Sequence, residues 1–184
     1  KLKVQRVNND TYLKVFQNNL FPSPVLPNNK DSMQTSVNYN FDHEKYNLST
    51  GFTIYEDLGK KTSDRYQYVF PSYNFNKNLD LENINGFVNF SSSGSNNLKN
   101  TNNLTTSITN DISYNSIDYF SSNGFKNNFN VYFKNLNSVG KNDDNYTSSP
   151  SVDGMSIFEV QSSLPLIKIK NLSEHILTPK ISFR

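Results

Sequence analysis

Ser32-Met33-Gln34-Thr35-Ser36-Val37-Asn38-Tyr39-Asn40-Phe41-Asp42-His43-Glu44-Lys45-Tyr46-Asn47-Leu48-Ser49-Thr50-Gly51-Phe52-Thr53-Ile54 is the stretch that decides the fold. Its first half alternates without a break. Met33, Thr35, Val37, Tyr39 and Phe41 occupy one parity; Gln34, Ser36, Asn38 and Asn40 occupy the other. The second half repeats the pattern, with Tyr46, Leu48, Thr50, Phe52 and Ile54 against Asn47, Ser49, Gly51 and Thr53. Successive side chains of a strand point to opposite faces, so this period predicts two strands, each with one apolar and one polar face. Asp42-His43-Glu44-Lys45 between them reads as a polar hairpin loop. Pairing Phe41 with Tyr46 sets Tyr39 against Leu48 and Val37 against Thr50. Both apolar sets then share one face of the sheet.

The same signal recurs outward along the chain. Leu104, Thr106, Ile108, Ile112 and Tyr114 alternate with Thr105, Ser107, Thr109, Asp111 and Ser113. Phe129, Val131 and Phe133 alternate with Asn130, Tyr132 and Lys134, and Leu177, Pro179, Ile181 and Phe183 with Thr178, Lys180, Ser182 and Arg184. Residues 1–8, 66–76, 84–92 and 155–164 are weaker candidates. Around Pro71 the aromatic phase changes, from Tyr66, Tyr68 and Phe70 to Tyr73 and Phe75. Proline cannot donate to a ladder, so a bulge or kink is expected there. Ser91 to Asn103 and Asn137 to Asp153 read as polar, Gly-containing loops, and no composition shift marks a second domain.

Composition narrows the class. Of 184 residues only 34% are hydrophobic, and Asn, Ser and Thr fill most positions between them. That is the composition of a disordered chain or of an Asn-rich aggregating tract. The 14 Phe and 11 Tyr argue against both, because they alternate within bounded segments. A net charge of +2 without a long basic cluster gives no nucleic-acid footprint. There is no cysteine, hence no disulfide framework or thiolate metal site. No run reaches the roughly 18 apolar residues of a membrane helix. From Lys1 and Arg184 at its ends, the chain is expected to be one β-barrel segment, 1–184, truncated at both ends.

No helix is predicted to cover either face of these strands. In a soluble sandwich the apolar faces meet each other; in a membrane barrel they face lipid and the polar faces line a wet interior. Pattern alone leaves both open. Strands of about 9–11 residues suit a tilted bilayer span. Tyr39, Phe41, Tyr46, Tyr55 and Phe75 near strand ends suit interfacial girdles. The fold expected is all-β: an antiparallel, up-and-down transmembrane segment of about eight to ten strands from a larger barrel. The polar residues expected to face its lumen are Gln34, Ser36, Asn38, Asn40, Asn47, Ser49 and Thr53.

Catalytic and metal motifs are not found. His43 and His175 lack a ligand spacing. Asp42, Glu44, Glu56, Asp57, Asp143 and Asp144 read as solvated loop carboxylates rather than an acid/base pair. Lys141-Asn142-Asp143-Asp144 offers too few oxygens at defined spacing for calcium. There is no Gly-rich phosphate loop and no Ser elbow. Neither a cofactor nor an enzymatic activity is expected.

Three passages are more distinctive. The first is Arg6-Val7-Asn8-Asn9-Asp10-Thr11-Tyr12-Leu13-Lys14-Val15-Phe16. The second is Tyr55-Glu56-Asp57-Leu58 followed by Ser63-Asp64-Arg65-Tyr66-Gln67-Tyr68-Val69-Phe70-Pro71-Ser72-Tyr73-Asn74-Phe75. The third is Leu164-Pro165-Leu166-Ile167-Lys168 followed by Leu177-Thr178-Pro179-Lys180-Ile181. In content and order they resemble passages in the outer-membrane barrel of the LPS-assembly protein LptD family, also called organic solvent tolerance proteins. Arg6, Asp10, Tyr12, Phe16, Asp64, Arg65, Tyr66, Pro71, Pro165 and Pro179 carry the resemblance, in structural roles: Asp10 caps a turn, Tyr12 and Phe16 pack at an interface, Pro71 and Pro179 shape strands. Asp10 to Phe16 reads either as a strand or as a connection.

The resemblance implies a site in the outer membrane of a Gram-negative bacterium, in a translocon that inserts lipopolysaccharide into the outer leaflet. It implies partners too: lipopolysaccharide, outer-membrane lipid, a plug lipoprotein (LptE) and a periplasmic bridge protein (LptA). The family's barrel has more strands than 184 residues supply. Its periplasmic jelly-roll domain has no counterpart in this sequence. The alternatives are a passive outer-membrane pore, a structural or adhesive barrel and, more remotely, a soluble β-sandwich binding module.

Overall fold

A computed structural model describes residues 1–16, 19, 29–61, 63–81, 84–170 and 173–184. The chain runs through β1 (Leu2–Lys3), α1 (Tyr12–Val15), β2 (Ser32–His43), β3 (Tyr46–Asp57), β4 (Tyr66–Leu79), β5 (Gly86–Lys99) and β6 (Asn103–Ser116). It continues through β7 (Tyr119–Phe120), β8 (Lys126–Lys141), β9 (Ser151–Ser163), β10 (Leu166–Lys170), β11 (Ser173–Leu177) and β12 (Lys180–Phe183). One sheet has the order β1-β2-β3-β4-β5-β6-β8-β9-β12, with β7 beside β8; β10 and β11 form a separate two-stranded sheet. The protein is therefore all-β, and its main sheet is antiparallel and up-and-down. Among the described residues no pairing joins β1 to β12, so the sheet is open.

The β2–β3 pair keeps the expected faces but not the expected register. Phe41 pairs with Leu48, Tyr39 with Thr50 and Val37 with Phe52, a shift of two residues. The cause lies at the turn. Asp42 and His43 continue β2 to Asn47 and Tyr46, leaving only Glu44 and Lys45 as the loop. The His43 and Tyr46 rings stack at 5.0 Å and extend the aromatic row begun by Phe41. A shift of two preserves parity, whereas a shift of one would have exchanged the faces.

The loop expected at Ser91 to Asn103 is mostly strand, while the one expected at Asn137 to Asp153 is kept over residues 142–150 and is strand at both ends. β5 runs through Ser91-Ser92-Ser93-Gly94-Ser95-Asn96-Asn97 to Lys99, β8 runs to Lys141, and β9 begins at Ser151. These segments show no apolar alternation; polar cross-strand contacts accompany the ladder instead. Tyr73 lies over Gly94, where a Cβ would stand 2.6 Å from the ring, and its hydroxyl is 3.1 Å from the Ser92 hydroxyl. Gln67 donates to Asn97 at 3.1 Å and Thr106 to Asn96 at 2.8 Å. An aromatic ring covering a strand glycine restores the packing that the missing side chain forfeits. The long strands span 12 to 16 residues, more than the expected length.

β4 is continuous through Pro71, whose peptide bond with Phe70 is cis. The expected phase change is present. Phe52 meets Phe70 and Tyr46 meets Phe75, so residues six apart on β3 face residues five apart on β4. At the C-terminal end one expected strand is two. β11 ends at Leu177 opposite Leu166, while β12 begins at Lys180 and pairs with β9. Pro179, which has no N–H to donate, separates them, and its carbonyl accepts from the Leu164 amide at 3.1 Å. Of residues 1–8 only Leu2 and Lys3 pair, with Val37 and Ser36. Tyr12–Val15 forms a single helical turn, with the Tyr12 and Phe16 rings 4.9 Å apart. The Asp10-to-Phe16 passage is thus a connection, not a strand.

By internal packing the described chain forms two compact units. One comprises Lys1–Phe75, Ser92–Thr109 and Leu136–Asp153; the other comprises Asn76–Ser91, Asn110–Asn135 and Gly154–Arg184. The buried hydrophobic side chains among the described residues are Leu13, Met33 and Leu58, with Val7 packed against them, all in the first unit.

Candidate functional site

The seven polar positions of β2 and β3 form one stripe. Ser36 pairs with Thr53, Asn38 with Gly51, Asn40 with Ser49 and Asp42 with Asn47, while Gln34 lies across from Tyr55. Gly51 lets this row close up. A Cβ there would collide with the Asn38 amide oxygen and lie 3.0 Å from the Val37 carbonyl. Asn38, Asn40, Ser49, Ser72 and Tyr73 line a shallow groove on the first unit, beside Lys1, whose carbonyl accepts from the Asn38 amide at 2.8 Å. The stripe's side chains are amides and hydroxyls. They exchange hydrogen bonds with water or sugar hydroxyls and offer no matched acid and base.

A second cluster joins the first two distinctive passages. Arg65 forms a fork with Asp10, Nη1 donating to Oδ2 at 2.9 Å and Nη2 to Oδ1 at 2.6 Å. Its Nε donates to Glu56 Oε1 at 2.6 Å, and the Tyr66 hydroxyl donates to the same oxygen at 3.0 Å. The Arg65 guanidinium holds the Asp10 carboxyl below the usual carboxylate range; the two carboxylates in turn push the Arg65 pKa up. Nearby, Lys14 pairs with Asp31 at 2.5 Å, the Asp31 carbonyl accepts from Leu58 N at 2.7 Å, and Asp57 N donates to the Arg65 carbonyl at 2.8 Å. Together with Leu13 against Met33 and Leu58, these contacts fasten the segment before β2 to the end of the β2–β4 sheet. A planar guanidinium fork suits this use because it satisfies two carboxylates in fixed geometry.

On β6, β8 and the middle of β2 exposure is inverted relative to a soluble protein, whereas on β3 both parities are mostly half-buried. On β6, Leu104, Ile108 and Ile112 are exposed while Thr105, Ser107, Thr109, Asp111 and Ser113 are half-buried. On β8, Phe129, Val131 and Phe133 are exposed while Asn130 and Tyr132 are half-buried. Val37, Tyr39 and Phe41 are exposed on β2. The polar parity is internally bonded: Lys134 pairs with Asp111 at 3.2 Å, and Tyr132 donates to Asn115 at 3.3 Å. Asn110 shares the parity of Ile108 and Ile112, and its amide donates to Asn135 at 3.2 Å, so it is paired rather than bare.

Of the residues carrying the resemblance, Asp10, Arg65 and Tyr66 come together. Asp10 receives a guanidinium rather than capping the turn; Asn9 Oδ1 accepts from the Thr11 amide instead. Arg6 is exposed on the segment after β1, and Tyr12 and Phe16 pack on each other. Asp64 lies in the β3–β4 turn, its amide donating to the Lys61 carbonyl at 3.0 Å. Pro71 lies within β4; Pro165 follows β9, beside Thr178 and Lys180 next to Pro179. Three of the carboxylates expected in loops are strand residues instead, Asp42 in β2 and Glu56 and Asp57 in β3, and of these Glu56 departs furthest. It is not a solvated loop carboxylate but a strand residue, 19% exposed, held by Arg65 and Tyr66. Its signal was its parity: it continues the row Phe52, Ile54 and pairs with Met33. No family model matches the chain, and none of the curated proteins matches it.

Proposed function

We propose that this chain is part of the strand wall of an outer-membrane β-barrel, and that the protein inserts lipopolysaccharide into the outer leaflet. The observation carrying the first half is the inverted exposure of β6, β8 and the middle of β2, where Val37 and Tyr39 are exposed beside a buried Ser36 and a half-buried Asn38; Met33, near the start of β2, is buried. Water penalises such a surface, and lipid rewards it. The second half rests on the resemblance to the LPS-assembly family. It is supported by the Asp10–Arg65 fork, which joins two passages far apart in sequence that carry that resemblance.

On this reading no covalent bond is made or broken. The amide and hydroxyl stripe hydrates the saccharide and phosphate head, while acyl chains leave sideways into lipid. The plug lipoprotein occupies part of the lumen, and the bridge protein delivers the substrate from the periplasm.

Two measurements test the proposal. Spin labels at positions 37 and 38 in phospholipid vesicles should alternate, with lipid-soluble oxygen reaching residue 37 and a polar relaxer reaching residue 38. Equal burial of both positions would exclude the membrane wall. Depleting the protein from its host should reduce lipopolysaccharide in the outer leaflet, measured with a surface label. Unchanged surface lipopolysaccharide with reduced solute uptake would replace the translocon with a passive pore.

A further inference from the structure

A second polar cluster lies on β8, β9 and β12, apart from the stripe of β2 and β3 and from the Arg65 group. Lys180 pairs with Ser163 and Ser182 with Gln161 across β12 and β9. The Ser163 hydroxyl donates to the Lys126 carbonyl at 3.4 Å, which brings the start of β8 alongside. Lys126, Ser163 and Lys180 therefore follow one another across three adjacent strands, and all three line one cavity. Its other polar walls include Asn128, Gln161 and Ser182, and no acidic side chain lines it.

Neighbouring strands lie about 4.8 Å apart, so the two lysine backbones are separated by about 10 Å. A lysine side chain spans one strand spacing easily, which puts a group held over Ser163 within reach of Lys180. Lys126 is already engaged from outside the cavity, its ammonium 2.8 Å from Asp118. Lys180 forms no ion pair among the described residues. One uncompensated ammonium, a second screened one, hydroxyl donors and no lining carboxylate make a cavity selective for an oxyanion. A phosphate group, with several acceptor oxygens, takes charge-assisted bonds from ammonium and hydroxyl donors at once.

We infer that this cavity binds a phosphate group, with Lys180 as the principal cation and the Ser182 hydroxyl as a donor. The inference stands apart from the membrane proposal, since it needs only the local pairing of β8, β9 and β12. The phosphate can be free or carried on a lipid headgroup, and the test separates the two.

The test uses the whole chain in a neutral detergent, with inorganic phosphate and, separately, micelle-dispersed phosphatidic acid as probes. Binding is followed by NMR of the lysine ammonium groups. Saturable shifts at Lys180 and Lys126 are expected, and in Lys180→Gln, read at Lys126, binding should weaken about tenfold, the loss of one charged hydrogen-bond partner. Lys168→Gln on β10, outside the cavity, should leave it unchanged. Tighter binding of phosphatidic acid identifies a lipid headgroup; equal binding identifies the phosphate group alone. No saturable shift, or equal loss in both variants, would overturn the inference. If Lys180→Gln loses its strand signal in circular dichroism, Ser182→Ala takes its place, with weaker binding expected and unchanged binding decisive against the site.

Discussion

Val37 offers the sharpest test of where the apolar face points. β2 has 12 residues; at about 3.4 Å per residue and a tilt of about 40° it rises about 29 Å, enough to cross an apolar band about 25 Å tall. Val37 is the sixth residue of the strand and is 50% exposed, so in a membrane it lies near the midplane with its side chain in lipid. Phe41 has the same parity but lies about 10 Å nearer the hairpin, close to the interface. Arginine at Val37 should therefore cost about 2–4 kcal/mol and at Phe41 about 0–1 kcal/mol. Asn40→Arg, on the polar face opposite Ser49, should stay within about 0.5 kcal/mol. Reversible urea unfolding of the protein in phospholipid vesicles measures all three. The gradient is the decisive quantity, because a solvent-facing strand gives small, equal costs at Val37 and Phe41. Equal costs at those two positions, or a larger cost at Asn40 than at Val37, would refute the lipid-facing assignment.

Gly94→Val should destabilise by about 1–3 kcal/mol, because its side chain enters the space of the Tyr73 ring. In the double variant with Tyr73→Ala most of that cost should vanish, and a denaturation cycle that shows strict additivity would contradict the packing. The β5–β6 turn places Asn100 and Thr101 at φ of 48° and 60°. Asparagine tolerates that region, but β-branched threonine is strained there, so Thr101→Gly should stabilise by about 1 kcal/mol, read as a higher urea midpoint. Asp10 titrates below its ordinary value of 3.8 because Arg65 donates to it. A carboxyl whose folded pKa is depressed contributes stability that is fully present above its unfolded pKa and is lost as pH falls through the folded one. Amide exchange at Val15, whose N–H donates to the Thr11 carbonyl in the segment that Asp10 anchors, corrected for its intrinsic pH dependence, should thus be protected equally at pH 7 and pH 5 and lose protection below 3.8. In Arg65→Lys, which has no planar fork, that acid step should be blunted; an unchanged step would assign it to another group.

Much of the fold was legible because a strand's period is short and its error is discrete. The β2–β3 faces followed from parity alone and survived a register shift of two, since only an odd shift moves Val37 to the other side. Turn length was not legible. Whether Asp42 and His43 belong to the loop or the ladder depends on the stacking of His43 on Tyr46, which is a contact and not a composition. β5 was missed from Ser91 onward for a related reason: what covers Gly94 there is Tyr73 from another strand. Of the Arg65 cluster, the sequence supplied the residues but not their meeting. Asp10 and Arg65 lie 55 positions apart, and nothing local in either passage predicts a fork between them.

The placement of charge ties the two clusters to the exposed face. Lys14–Asp31, the Arg65 group, Lys60–Asp57 and Lys126–Asp118 all lie at strand ends, in turns or in the segment before β2. Among the ion pairs of the described residues, Lys134–Asp111 alone lies well inside two long strands. It takes the parity of Tyr132 and Ser113, opposite to Phe133 and Ile112. A soluble sheet with both faces in water has no reason to avoid an ion pair beside Ile108 or Val131, because exposed pairs change stability little wherever they stand. A strand that crosses a bilayer has a strong one, since an ion in hydrocarbon loses its hydration without full compensation. Asn110 follows the same restriction. It is the polar residue between Ile108 and Ile112 on their parity, it is uncharged, and its amide is bonded to Asn135. Charge confined to the strand ends and the polar parity, with Asn110 paired among isoleucines, is what the proposed membrane wall requires.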